Sequence, residues 1–284
     1  MCRECGCGLE GWHQHEDGTW HSHHHHEHSH EHTHEHAHEY SHANNHVHSA
    51  EPSSTQTPLQ TKKVVIESRQ SVLAKNDQIA QDNREWFLRN KILCLNFISS
   101  PGSGKTLLLE KILERLSAKY KVCVIVGDQA TSMDADRLEN KGASIKQVNT
   151  HSTCHLDAPH IHAELQTFVK PGTDIVIIEN VGNLVCPAMF DLGESAQIAL
   201  LSTPEGEEKP VKYPVLFSRA HLVVLTKMDL VPHLKWSLEK VKNHIRRLNA
   251  LCPIIPTSAQ SGLGLDTLVD WIDEQRNKIK SIEL

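Results

Sequence analysis

The sequence predicts an α/β fold, a mainly parallel sheet with a disordered His-rich N-terminal extension, and three observations carry that expectation. Short apolar runs recur between residues 92 and 255 and are separated by stretches of helical periodicity, as when strands and helices alternate around one sheet. The first apolar run passes into a glycine-rich turn and then into a helical run. By contrast, 16 of the 23 histidines crowd between His13 and His48.

Residues 13–48 alternate His with Glu, Ser and Thr and hold little that is large and apolar beyond Trp20, Tyr40 and Val47, so no core can form there. Residues 50–61, with Pro52 and Pro58 among polar residues, read as a flexible linker. Val72, Leu73, Ile79, Ala80, Phe87 and Leu88 then fit an amphipathic helix over Ser71–Leu88 that ends near Asn90. Ile92–Ile98 reads as a buried strand and Thr106–Ala118 as a helix. Further strands are expected at 122–126, 174–178, 222–225 and 253–255, and further helices at 134–140, 236–248 and 265–279. Three segments follow: a Cys-rich motif over 1–10, the His-rich tract and linker over 11–61, and a folded domain with its leading helix over 62–284.

A net charge of −6 argues against a general nucleic-acid binder, which carries a basic face to neutralise phosphates. No stretch approaches the ~18 apolar residues of a membrane span, and the first residues lack the apolar centre of a secretory signal. A cytoplasmic location is expected. Three of the eight cysteines cluster at the N-terminus and the others scatter through the domain, which fits reduced thiols better than disulfides.

Ser99–Thr106, SSPGSGKT, matches the phosphate-loop pattern GxxxxGK[ST] except that Ser99 takes the place of the first Gly. Gly102, Ser103 and Gly104 let backbone N–H groups approach phosphates, Lys105 reaches the terminal phosphates, and Thr106 can ligate Mg²⁺. Asp128 and Glu179 each end a strand, where α/β sheets bind ligands. Glu179 with Gly182 reads as a variant of the DxxG segment, in which the acid holds Mg²⁺ through water and the Gly N–H senses a γ-phosphate. Thr226-Lys227-Met228-Asp229 resembles the NKxD guanine motif with Thr for Asn: Asp229 would accept guanine N–H groups, and Lys227 would lie along the base. Ser258-Ala259 follows the last strand, where a backbone N–H meets the guanine oxygen. Four motifs in this order, each after its own strand, point to GTP rather than ATP and to a P-loop GTPase domain.

Cys2, Cys5 and Cys7 put three soft thiolates within one turn, suited to nickel in a square-planar site or zinc in a tetrahedral one. Cys154, His155 and Cys186 form a second soft-metal set, with His160 and His162 as nearby donors. Cys94, Cys123 and Cys252 lie in or beside apolar strands and are expected to fill the core. The His tract suits storage or buffering of several weakly held ions, with a solubilising tail as the plainer alternative.

With NREWF at 83–87, SSPGSGKT, GDQAT, CHLDA, ENVGNLVCP and TKMDL added to the CxxCGC start, the chain resembles the HypB family of hydrogenase nickel-incorporation GTPases along nearly its whole length. The resemblance implies a GTPase that dimerises with nucleotide or metal, cooperates with a zinc-containing HypA-type partner, and promotes nickel delivery to the hydrogenase large-subunit precursor. It carries metal roles to Cys2, Cys5 and Cys7 and, separately, to Cys154, His155 and Cys186. A urease-type nickel GTPase and a non-enzymatic metal reservoir are the alternatives; CHLDA and the CxxCGC start favour the first reading over one, the phosphate loop over the other.

Overall fold

The computed structural model describes residues 12–14 and 20–22, and the chain from 58 to 282 apart from 129–132 and 151–152. Strands β1 (Trp12–Gln14) and β2 (Trp20–Ser22) pair antiparallel, Trp12 opposite Ser22. The aromatics that start each of these short strands favour extended backbone. Cys2, Cys5, Cys7 and the rest of the His tract lie outside the described residues.

Helix α1 runs Pro58–Arg89, so it starts within the stretch read as linker rather than at Ser71. Its first residue is a proline, whose missing N–H costs nothing in a first turn, and no Gly or Pro interrupts it before Arg89.

Strands β3 (Leu93–Ile98), β4 (Val122–Asp128), β5 (Ser144–Asn149), β6 (Ile175–Glu179), β7 (Ala196–Ser202), β8 (Leu222–Thr226) and β9 (Ile254–Pro256) form one parallel sheet in the order β5-β4-β6-β3-β7-β8-β9. Helices α2 (Lys105–Leu116) and α9 (Leu265–Lys280) cover one face, where Leu93, Leu95 and Phe97 of β3 meet Leu109, Ile112 and Leu268. The other face is shared. On one half Cys94, Ile125 and Ile178 pack under Phe87 of α1 and Ile161 of α4 (Ala158–Thr167). On the other half Ala199, Val223 and Leu225 meet Phe217 of a short helix (Pro214–Arg219) and Val241 and Ile245 of the helix Leu238–Leu248.

Burial on both faces explains why the central strands read as unbroken apolar runs. Each fully buried Leu, Ile or Phe contributes roughly 1.5–3 kcal/mol by leaving water. The edges are built differently: β5 is polar and largely exposed, and β9 is only three residues long, both poor templates for pairing with another chain. Every strand runs the same way, so all the strand-to-helix loops carrying the sequence motifs emerge at one edge.

Candidate functional site

β3 ends at Ile98, and the chain wraps through Ser99–Gly104 into α2. Gly102 and Gly104 have φ of 71° and 89°, left-handed backbone that a side chain would strain. Gly104 caps α2 without a side-chain hydrogen bond, so the first-turn N–H groups are left for an anion.

Glu179 ends β6, next to β3 in the sheet and in register with Phe97. Its Oε1 accepts from Lys105 Nζ at 2.9 Å and from Thr106 Oγ1 at 2.6 Å. The carboxylate is fully buried, and its Oε2 has no partner among the described residues; nor does the buried Ser103 Oγ of the loop. An unpartnered buried carboxylate oxygen beside the Thr106 hydroxyl is a hard-oxygen donor set that fits Mg²⁺ held on nucleotide phosphates. Gly182 packs against the loop: a Cβ there would lie 3.2 Å from Pro101 backbone.

A cavity of about 520 Å³ opens over this loop, bounded also by Gly182, Lys227, Asp134 and Arg137. A second of about 300 Å³ adjoins it, sharing Ser103, Gly104, Leu107 and Lys227 and walled further by Asp229, Leu230, Ala259 and Gln260. One matches phosphates, the other a flat base. Lys227 spans the seam in a left-handed conformation, with its Nζ donating to Gly102 O at 2.7 Å. Thr226 Oγ1 donates to Ser103 O at 2.7 Å, so the Thr that replaces the motif's Asn still ties this segment to the phosphate loop. Ser258 does not line the cavity; its hydroxyl donates to Asp229 Oδ1 and fixes that carboxylate. Asp128 ends β4 at the same sheet edge, outside the walls of both cavities. Arg137, paired with Glu110, carried no signal in the sequence.

Cys154, His155 and Cys186 converge, with one ligand atom from each lying within 4.8 Å of the others; among the described residues no other such His, Cys, Asp or Glu group occurs. Two sulfurs on one ion are at most about 4.6 Å apart, given metal–sulfur bonds near 2.3 Å, so the convergence is on the scale of one shared ion. Cys186 is buried at the start of a short helix, α5 (Cys186–Met189), because Pro187 favours the helix start and the segment packs inward at Leu184 and Ala188.

His155 is buried against Phe190, ring centroids 4.0 Å apart. Burial pushes its pKa below the usual value, with Asp157 opposing, so the imidazole is neutral and has a lone pair free for a metal. His160 is engaged with Asp157 in the cap of α4, and His162 bonds Asn83 and Gln166; neither belongs to the cluster. Cys94, Cys123 and Cys252 are buried as expected; burial raises the Cys94 thiol well above its ordinary pKa and Cys252 to about 11.

The two clusters are joined by a residue the motif reading passed over. Asn180, fully buried between Glu179 and Gly182, accepts through Oδ1 from Val181 N at 2.9 Å and from Leu156 N, beside the metal loop, at 3.1 Å. Its amide donates to Asn96 at 3.3 Å, which donates to Glu194 at 3.0 Å.

A family model, CobW/HypB/UreG, nucleotide-binding domain, matches residues 94–256. A hydrogenase maturation factor HypB from Escherichia coli (strain K12) is 45% identical over 224 residues, 79% of this chain and 77% of its own. HypB from Helicobacter pylori, solved in complex with nickel, superposes with a TM-score of 0.68 at 38% identity, over 72% of this chain and 96% of that one. HypB from Archaeoglobus fulgidus gives a TM-score of 0.68 at 33% identity, over 72% and 100%. With the strand-end motifs gathered at one edge of a parallel sheet and this identity along most of its length, the chain belongs to the HypB family of hydrogenase maturation factors and contains that family's nucleotide-binding domain.

Proposed function

We propose that this protein hydrolyses GTP and uses the nucleotide state to hold and release nickel for insertion into a hydrogenase large-subunit precursor. The observation that carries the proposal is the Asn180 carboxamide, bonded at once to the segment beside Gly182 and to the loop of Cys154 and His155.

In the free protein Lys105 and Thr106 are held by Glu179. A triphosphate draws Lys105 onto its terminal oxygens, and Thr106 and Glu179 are the residues that would hold Mg²⁺. Mg²⁺ supplies neutralisation of the charge on the transferring phosphoryl group. Gly182 N–H bonds the γ-phosphate, and Asp128 completes the catalytic carboxylates. Asp229, fixed by Ser258, accepts the guanine N–H pair, with Lys227 along the base and the Ala259 N–H on the guanine oxygen. Loss of the γ-phosphate releases the Gly182 segment, and Asn180 and Cys186 pass that movement to the metal cluster.

Nickel is the cargo, taken by Cys154, His155 and Cys186 in the domain and by Cys2, Cys5 and Cys7 at the N-terminus; zinc suits the same donors. The His-rich part of residues 11–61 stores or buffers nickel, and the domain over 62–284 acts as the switch. Nickel arrives with the help of a HypA-type metallochaperone, the protein pairs with a second copy when nucleotide or metal binds, and the work takes place in the cytoplasm. No helix among the described residues is long and apolar enough to cross a membrane. The test is phosphate release from GTP and ATP by the full chain, with nickel and zinc competing in parallel titrations. GTP-selective turnover supports the reading; absence of turnover, or equal use of ATP, removes it.

A further inference from the structure

The NREWF segment, which no step above uses, lies on α1, and α1 touches both ligand-bearing loops at their far ends. Asn76 and Asn83 are seven residues apart, two helical turns, and so share a face. Both are buried, 4% and 0% exposed. Asn76 Oδ1 accepts from Ala158 N at 2.9 Å, and its Nδ2 donates to Asp191 O at 2.8 Å. Asn83 Nδ2 donates to Ala158 O at 3.0 Å and to Leu192 O at 3.1 Å, while its Oδ1 faces His162 Nδ1 at 2.9 Å. Each asparagine thus bonds the chain just after Cys154-His155 and the chain just after Cys186 with one carboxamide.

The surroundings reinforce this grip. Arg84 Nη2 lies 2.7 Å from both carboxylate oxygens of Asp191 in a forked ion pair. Gly193 lies so near α1 that a Cβ there would come within 2.4 Å of Ala80 O, so the loop seats directly on the helix backbone. Phe190, adjacent to the clamped Asp191, is the ring against His155. Beyond the single direct bond from Leu156 N to Asn180, the separation of the Cys154-His155 loop and the Cys186 loop is therefore set by α1.

We propose that Asn76 and Asn83 are positioning residues for the domain metal site, holding its two ligand loops at the separation one nickel ion needs, so that α1 sets the affinity of that site. This rests on the reading of Cys154, His155 and Cys186 as nickel ligands. Removing groups that orient ligands commonly weakens metal binding roughly 10- to 100-fold. Gly182 shares its loop with Cys186, but it packs on Pro101 of the phosphate loop and no bond of Asn76 or Asn83 reaches it, so the nucleotide contacts stay in place.

The experiment uses the full chain carrying Cys2→Ser, Cys5→Ser and Cys7→Ser, so that thiolate-to-nickel charge-transfer absorption reports the domain cysteines. Asn83→Leu and the milder Asn76→Ala are titrated with nickel beside Cys186→Ala. Arg276→Met serves as a stability control: it breaks the half-buried ion pair of α9 with Asp174, remote from both loops. Expected are loss of the band in Cys186→Ala, at least tenfold weaker nickel binding with an altered band shape in both asparagine variants, and parental behaviour in Arg276→Met. GTP affinity, measured without nickel, should stay within about twofold in both asparagine variants and in Arg276→Met. A band that survives Cys186→Ala overturns the metal assignment and this proposal with it. A band lost there but unchanged in affinity and shape in both asparagine variants overturns the clamp alone, as does equal weakening in Arg276→Met.

Discussion

The phosphate loop and the metal cluster lie at the same edge of one sheet, yet they are assembled differently. The phosphate loop is one continuous segment between β3 and α2, and its partners sit at the ends of two strands of the same sheet, Glu179 on adjacent β6 and Thr226 and Lys227 at the end of β8, two strands away. Strand pairing alone brings them together. The metal cluster joins two loops that no ladder holds in register, and side-chain bonds across 75 to 115 residues fix their separation. Backbone-built sites write themselves into short motifs; sites built through side chains scatter their determinants along the chain.

The sharpest way to break the comparison is Lys105→Ala. Removing the charge on the terminal phosphates should lower GTP turnover by about 10²–10³-fold or more, measured as phosphate release. It also strips Glu179, 1% exposed at its side chain, of its cationic partner. The free protein should lose stability towards the lower end of ~3–5 kcal/mol, because Thr106 still donates. Normal turnover in this variant would remove the role of Lys105. Asp229→Asn comes next: the amide offers a donor where guanine needs an acceptor, so GTP affinity should fall by about 10²-fold or more while xanthosine triphosphate gains. An unchanged preference for GTP counts against the base cavity.

Asn180→Ala addresses the bridge between the regions. Two buried N–H groups lose their acceptor, at a cost of about 1–3 kcal/mol each, and nickel affinities with GDP and with a non-hydrolysable GTP analogue should converge. Coupling between such sites is typically ~1–3 kcal/mol and reciprocal, so the nucleotide should also cease to sense nickel. Persistence of the full difference in both directions would show that Asn180 transmits nothing.

Deleting residues 13–48 should lower the number of nickel ions bound and leave GTP hydrolysis nearly unchanged. The capacity lost should be the part that falls as pH drops through about 6.5. Equal stoichiometry before and after deletion removes the storage role. The smallest effect concerns His155, whose folded pKa lies below an unfolded value near 6.5. As pH falls below that value the unfolded chain takes up a proton that the folded one refuses, so this contribution to stability is complete above about 6.5 and is lost below it. His155→Gln should flatten that part of the denaturation profile; an unaltered slope would show the ring titrates freely.

The sheet was readable where strands are buried on both faces, as in β3, β4, β6 and β8. The polar edge strand β5 lacks that signature, and β7, with Ala and Gln at its start, blends into the preceding loop. The helix before the domain was cut short because its first half has no strong apolar stripe, and only its proline start and its freedom from Gly suggest the true length. The segments that line the two cavities were visible, as were the three residues that converge at Cys154, His155 and Cys186. Asn76, Asn83 and Asn180 were not, since an asparagine's value as a bridge depends on which backbone groups the fold brings to it.

The burial of Cys94, Cys123 and Cys252 has a consequence for reactivity. A soft ion, an oxidant or an alkylating reagent discriminates among sulfurs by access and by how readily they lose a proton. In the core Cys94 and Cys252 are held towards the protonated thiol by burial, and none of the three is open to solvent, whereas Cys154 is half-exposed. The folded domain therefore offers such a reagent one point of entry, Cys154. Brief alkylation should mark that position first, and prior loading with nickel should protect it.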